Sequence, residues 1–474
     1  MNVRHSGRLW DVIIIGGGFA GFSAATALAE RGARVLLVEA RPGLGGRATA
    51  FRDPDTGERV DNGQHIMMGC YTDTWRFLDR IGAADRVRWQ SGLTVAMIDR
   101  RGHESVLALP SLPSPLHVLA GVLAWDALTW RERLSVLKAG AAVGPAGRLR
   151  QRGGAEEAGH HTAHSAETVH QWLTRIGQAP RLCELFWEPL ALAALNQSID
   201  QAEASSFLRV LERVFGPDPA AAALVMPAVP LDVMYVEPSL GYLAARGGEV
   251  RVNAPARITL DGDRVRGIRV RDDAIDAPVV ISTVPWFAFN GLFDTPPPQL
   301  HDTLANAAAL DSLPIVTVNL WFDAAVMRDP LIGLPGRTFQ WVFDRRAIVG
   351  GEASHLSLIA SGADALVAQS NETLVGTALR EVRDALPAAR RAGLRKGLAV
   401  REKRSTFSLA PDAPPRPGMH TPIAGLLLAG DWIQTGLPAT IESAVISGHN
   451  AARAAEGRDG LAEARQHPRA KAEA

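Results

Sequence analysis

The residues with the clearest chemical spacing lie at the start of the chain. Gly16, Gly18 and Gly21 fit G-x-G-x-x-G, with Phe19 and Ala20 between the last two glycines. The run from Asp11 to Ile15 before them is short, β-branched and apolar, as a buried parallel strand requires. After them Ala20, Ala24, Ala25, Leu28 and Ala29 share one helical face, and Gly32 is placed to end the helix in a left-handed cap. A second strand, Arg34 to Val38, ends beside Glu39. This order suits a dinucleotide. Gly16 permits the tight turn, Gly18 lets a pyrophosphate approach the backbone, and Gly21 lets helix and strand pack closely. The helix N-terminus favours phosphate charge, and Glu39 can accept a ribose 2′-hydroxyl. An acid at that position disfavours a 2′-phosphate. The glycine motif alone is weak, since a glycine-rich turn in another α/β unit would match it. Strand, loop, helix, strand and acid in sequence supply the confirming context.

Four more clusters carry candidate chemistry. Ala40 and Arg41 lead to Gly45, Gly46 and Arg47, a second glycine-rich loop that a plain nicotinamide site does not need. Near the other end an apolar run from Leu426 reaches Gly430, Asp431 and Trp432, and a helix is expected from near Ala439, after Pro438. Its positive end can stabilise negative charge on a bound ring. The alternatives are a simple helix cap for Asp431 and a surface salt bridge for Arg47; the two glycines directly before Arg47, and the presence of both clusters in one chain, weigh against them. Asp61, Asn62, Gly63, Gln64 and His65 form a polar cluster after the second loop. Of the acid–base candidates His65 ranks first, with Gln64 orienting it, though His65 reads as well as a group that only hydrogen-bonds the surrounding structure or a bound ring. Glu188, in an apolar run before Pro189, ranks second and reads as well as a buried structural group. Asp344 ranks below both, as a turn residue. His160, His161 and His164 have helical spacing for a metal but no acidic partner pattern, so a solvated tract and no metal site are expected.

The loop Gly45-Gly46-Arg47 and the Gly430-Asp431 turn resemble the paired signatures of the amine oxidase and phytoene desaturase flavoprotein superfamily. More specific blocks are D-N-G-Q-H from Asp61, the W-E-P-L block from Trp187 to Asn196, Q-W-V-F-D from Gln340, and G-L-P-A-T-I-E from Gly436 to Glu442. Together they resemble the hydroxysqualene dehydroxylase family, also described as squalene-associated FAD-dependent desaturases, from about Asp11 to about Ala455. The resemblance implies non-covalent FAD. It implies that Gly45, Gly46 and Arg47 wrap the phosphates, that Gly63, Gln64 and His65 pass the flavin ring, and that Asp431 binds the ribityl hydroxyls with Gly430, Pro438, Ala439 and Thr440 beside it. It places the Val252 backbone against adenine. It implies reductive removal of an allylic hydroxyl from hydroxysqualene, giving squalene on the way to hopanoids. The fold it implies is α/β: a Rossmann-like, discontinuous FAD-binding domain at 8–75, 241–290 and 414–456, with an inserted α+β substrate domain at 76–240 and 291–413 and a C-terminal tail at 457–474.

Composition sets outer bounds on these readings. The 474 residues are too many for one core. Lysine plus arginine and aspartate plus glutamate balance at 50 each, which argues against a nucleic-acid partner. Two cysteines make no disulfide framework, so a reducing, cytoplasmic setting is expected. The first ten residues hold no apolar signal core, and no run is long enough to span a bilayer. Leu109 to Leu134 reads as an amphipathic lid or interfacial helix at the inner membrane face, or as an ordinary core helix. No second dinucleotide fingerprint occurs, so the reductant either enters the substrate pocket transiently or comes from a partner protein. Rival readings are a desaturase or amine oxidase on the same fold, a non-catalytic prenyl-lipid carrier, and a subunit among other squalene-synthesis enzymes.

Overall fold

The computed structural model describes residues 10–113, 116–143, 167–350 and 354–457. His160, His161, His164 and the residues from 458 onward lie outside them. The Rossmann-like half is a five-stranded parallel sheet in the spatial order Glu249–Arg251, Val35–Val38, Val12–Ile15, Val279–Ser282 and Leu426–Leu428. The four strands from Val12, Val35, Val279 and Leu426 are buried along their whole length, which is why they read as unbroken apolar runs. The first helix, Phe19–Glu30, packs against Ile441–Ala455, the last described helix. Gly32 has φ of +79°, the left-handed conformation its position called for.

A seven-stranded sheet forms the second half. Its order is Leu394–Phe407, Ser312–Phe322, Ser354–Ala360, Trp341–Asp344, Leu331–Gly333, Thr94–Ile98 and Glu104–Ala108. Pairing is antiparallel except between Leu331–Gly333 and Thr94–Ile98. Along Ser312–Phe322 the two faces part. Val316, Val318, Leu320 and Phe322 enter one core, while Ile315, Thr317, Asn319 and Trp321 face the nucleotide-binding half. An ion pair crosses between the halves from Lys396 to Asp53, at 2.6 Å.

A hairpin around Asp261–Asp263 pairs Arg264–Val270 with Ala256–Asp261, while Glu249–Arg251 joins the parallel sheet. One expectation is revised. The apolar segment 109–134 is not one helix. It breaks between Leu116–Ala124 and Trp130–Val143, because Glu132 turns back to accept the backbone N–H of Thr129 at 2.7 Å and starts a new helix there.

Gly448 sits where the helices Phe19–Glu30 and Ile441–Ala455 touch. A methyl there would lie 2.1 Å from the Ser23 hydroxyl and 2.3 Å from the Ala20 carbonyl. Gly448→Val gains a few tenths of a kcal/mol in helix propensity, but forcing two buried backbones apart costs about 1–3 kcal/mol. The clash should win: the variant should melt at a lower temperature than the wild type. An equal or higher melting temperature would show that the helices do not meet at this glycine.

Candidate active site

A cavity of about 700 Å³ runs between the two halves. Gly16, Gly18, Phe19, Ala20, Glu39, Ala40, Arg41, Gly45, Gly46, Arg47, Gly63, Gln64, His65, Gly430, Asp431, Pro438, Ala439 and Thr440 all line it. Gly21 stands behind the wall. A Cβ there would fall 1.9 Å from the Gly16 carbonyl, so this glycine serves the close crossing of helix and strand. The structure places Val252 outside the lining and exposed, with Ala254 and Pro255 at the wall instead. The reason is local: the strand ends at Arg251, and Ala254 N–H then bonds the Glu39 carbonyl at 2.9 Å, which turns the later residues inward.

The walls are braced around bare backbone. Gly45 N–H bonds the Gly17 carbonyl at 2.7 Å, so the two glycine loops lie side by side. Glu39 accepts the N–H groups of Gly17 (2.9 Å) and Arg41 (3.0 Å). A Cβ on Gly18 would be 4.0 Å from the Gly45 carbonyl and the Gly46 Cα, leaving an open cradle of main chain. Tyr235 stacks on Phe19 at 3.8 Å between ring centroids and donates to the carbonyls of Gly45 (2.8 Å) and Ala48 (3.1 Å). Arg47 reaches across to Asp431 at 2.5 Å and to the Ser405 carbonyl at 2.7 Å. The helix beyond begins at Ile441, two residues later than expected, with the Thr440 hydroxyl accepting Ser443 N–H as its cap. A cradle of glycine main chain, an acid beside it and an acid–guanidinium pair opposite fit a flavin dinucleotide.

The acid–base candidates separate. His65 is at the wall, and its Nδ1–H donates to the Gly63 carbonyl at 2.8 Å, which leaves Nε2 as the unprotonated nitrogen. Burial pushes its imidazole below the ordinary value, opposed by the Gly63 bond and the Asp61 carboxylate. Gln64 is held by Arg345 at 2.7 Å, and the same guanidinium pairs with Asp61. Glu188 does not line the cavity. Its carboxylate accepts Ile199 N–H at 2.9 Å, and burial raises its pKa. The sequence holds a structural twin in Glu237-Pro238. Both Glu-Pro pairs follow a π turn, Cys183–Trp187 and Asp232–Val236, which admits a proline without an i−4 clash. Asp344 caps the short helix that carries Arg345, accepting Arg346 N–H at 3.0 Å. Arg345 and Tyr235 are the site residues that sequence reading missed. Neither lies in a motif, and both act over more than 180 residues of chain.

This is the architecture of a dinucleotide-binding flavoprotein. Residues 19–455 match the flavin-containing amine oxidoreductases, and the chain belongs to that family. It is an FAD-dependent oxidoreductase. Among curated proteins it is 26% identical over 469 residues to a 15-cis-phytoene desaturase of Synechococcus elongatus, covering 94% of this chain and 95% of that one. It is 26% identical over 449 residues to a hydroxysqualene dehydroxylase of Zymomonas mobilis, covering 93% and 97%. Cyclohexylamine oxidase from Brevibacterium oxydans shares the fold, with a TM-score of 0.67 at 16% identity over 97% of this chain and 100% of that one.

Asp431→Ala should lower FAD affinity by roughly tenfold or more, since it removes a carboxylate from the cavity and leaves Arg47 unpaired. Titration of apoprotein with FAD, followed by flavin fluorescence, checks this. Undiminished affinity would take Asp431 out of the cofactor site.

Proposed function

We propose that the protein reductively removes the allylic hydroxyl of hydroxysqualene to give squalene. The observation that carries this reading is the continuity of the cofactor cavity with a hydrocarbon-lined cleft. Beyond His65 the wall is Leu93, Val95, Met97, Leu107, Phe186, Leu224, Leu331 and Phe343. Such a lining suits a long isoprenoid and excludes water that would recapture an allylic cation. The dehydroxylase and desaturase among the relatives, both named for isoprenoid substrates, support the substrate class.

In this reading the segments 8–75, 241–290 and 414–456 hold FAD, and 76–240 and 291–413 hold the substrate. Gly16, Gly18, Gly45, Gly46 and Glu39 receive the adenosine diphosphate half, and Asp431, Pro438, Ala439 and Thr440 the flavin half. Bound flavin supplies hydride chemistry. The chain's own residues orient the alcohol, keep water out and bring a proton to the departing oxygen, with His65 Nε2 as the atom that passes it on. Leu112, Leu116, Trp130, Leu134 and Leu137 are exposed on or beside the two helices of 109–143, which supports a peripheral contact with the inner membrane face, where a C30 hydrocarbon resides. No helix among the described residues is long and apolar enough to cross a membrane.

The deciding test is anaerobic. Reduced, FAD-loaded protein mixed with hydroxysqualene in detergent should reoxidise stoichiometrically and form squalene. A flavin that stays reduced with hydroxysqualene, while a polyene or amine bleaches the oxidised protein, would move the protein to a desaturase or oxidase. Within the same assay His65→Ala should slow the single-turnover rate by about 10²-fold with FAD still bound. An unchanged rate would remove His65 from the proton's route.

A further inference from the structure

The proposed reaction consumes one proton per turnover. The C–O bond breaks, the oxygen takes one proton and leaves as water, and the carbon takes a hydride from the reduced flavin, which is thereby oxidised by two electrons. His65 is held with its proton on Nδ1, facing Gly63, so its Nε2 must be supplied from elsewhere. The cleft beyond it is apolar.

Behind the polar wall at Asn62–Gln64 lies a band of buried polar side chains on one face of the large sheet. A methyl on Gly63 would sit 3.5 Å from the Thr317 hydroxyl. Asn319 is two residues further along the same strand face, and its Oδ1 lies 2.9 Å from His355 Nε2. His355 Nδ1 is 3.1 Å from Glu58, which reaches solvent with two-fifths of its side chain exposed. Trp321 stacks on His355 at 4.1 Å and donates to the same Glu58 oxygen at 3.0 Å, fixing both. Along this band four buried polar atoms have no protein partner: Asn62 Oδ1, Gln64 Nε2, Thr317 Oγ and Asn319 Nδ2. Thr317 and Asn319 are each 1% exposed. Leaving such atoms bare costs about 1–3 kcal/mol each. A donor–acceptor mixture so close together is what bound water satisfies. Burial holds His355 below the ordinary imidazole value against the pull of Glu58, while Arg345 also lowers it and Asp61 raises it. Lys396, from the neighbouring strand, stands over Trp321 at 5.6 Å. His355 presents one ring nitrogen to the Glu58 carboxylate on the solvent side and the other to the Asn319 amide oxygen on the inner side, so a proton taken on one nitrogen can be released from the other.

We propose that Glu58, His355, Asn319 and Thr317, completed by buried water, form a proton path from solvent to the flavin-facing wall at Asn62–Gln64. The path rests on the dehydroxylase reading for its purpose but not for its existence. The first experiment is a high-resolution crystal structure of the FAD-bound protein. It should show ordered water bonded to at least two of the four unpartnered atoms, and a dry gap between Thr317 and Asn319 would overturn the path. The second uses Glu58→Gln and His355→Gln, each retaining bound FAD. Single-turnover reoxidation by hydroxysqualene should fall about tenfold or more with KM unchanged, and should lose the wild-type pH dependence between about pH 5 and 9. Wild-type rates and pH profile in both variants would overturn it. If the wild type itself fails to turn over hydroxysqualene, the dehydroxylase reading falls. The path is then decided by the ordered water and by the ¹⁵N resonances of His355, which must shift in Glu58→Gln if the two exchange a proton.

Discussion

The pairing of Arg47 with Asp431 is the contact on which the site depends. It joins a loop near the start of the chain to a turn 384 residues later, at 2.5 Å, with the carboxylate almost wholly buried. Desolvating two charges costs several kcal/mol, so such a pair is weak support for stability by itself. Its effect here is positional. It ties the second glycine loop to the turn that follows the strand Leu426–Leu428, on the path to the helix capped by Thr440.

Electrostatics then divide the cavity. Around the cofactor the wall is main-chain N–H and C=O, glycine and a few ion pairs, which tolerate phosphate and sugar. Towards the large sheet the wall becomes leucine, valine, methionine and phenylalanine. One sheet face supplies both the apolar floor, through Ile315, Ile359 and Phe343, and the polar band that begins at Thr317. Side chains alternate along a strand, so a single strand can be core on one side and carry this graded surface on the other. Hydrocarbon and buried polar groups thus stand side by side on one sheet face.

The polar cluster at Asp61–His65 shows why burial alone does not make an acid. Asp61 and Gln64 are both tied to Arg345, and His65 is tied to the carbonyl of Gly63. These contacts engage the Asp61 carboxylate, the Gln64 amide oxygen and His65 Nδ1, and leave Gln64 Nε2 without a protein partner. Glu188, half-buried in an apolar run, is spent on the turn at Ile199. His65 is left with Nε2 as its one nitrogen without a bond to the Gly63 carbonyl.

Much of this was legible in the sequence. The parallel strands at Asp11, Arg34 and Leu426, the glycine crossing at Gly21 and the acid at Glu39 follow from local rules, because a buried parallel strand must be apolar throughout and a phosphate-binding turn must lack side chains. The wall at Gly63–His65 was placed by resemblance to a family. Tertiary structure alone decided the rest. It put Ala254 and not Val252 at the cavity, because one hydrogen bond to the Glu39 carbonyl turned the chain. It brought Arg345 and Tyr235 to the site, and it aligned Thr317, Asn319 and His355 into one buried band. Those placements depend on contacts between residues far apart in the chain, and no local spacing encodes which distant side chain will meet a given wall.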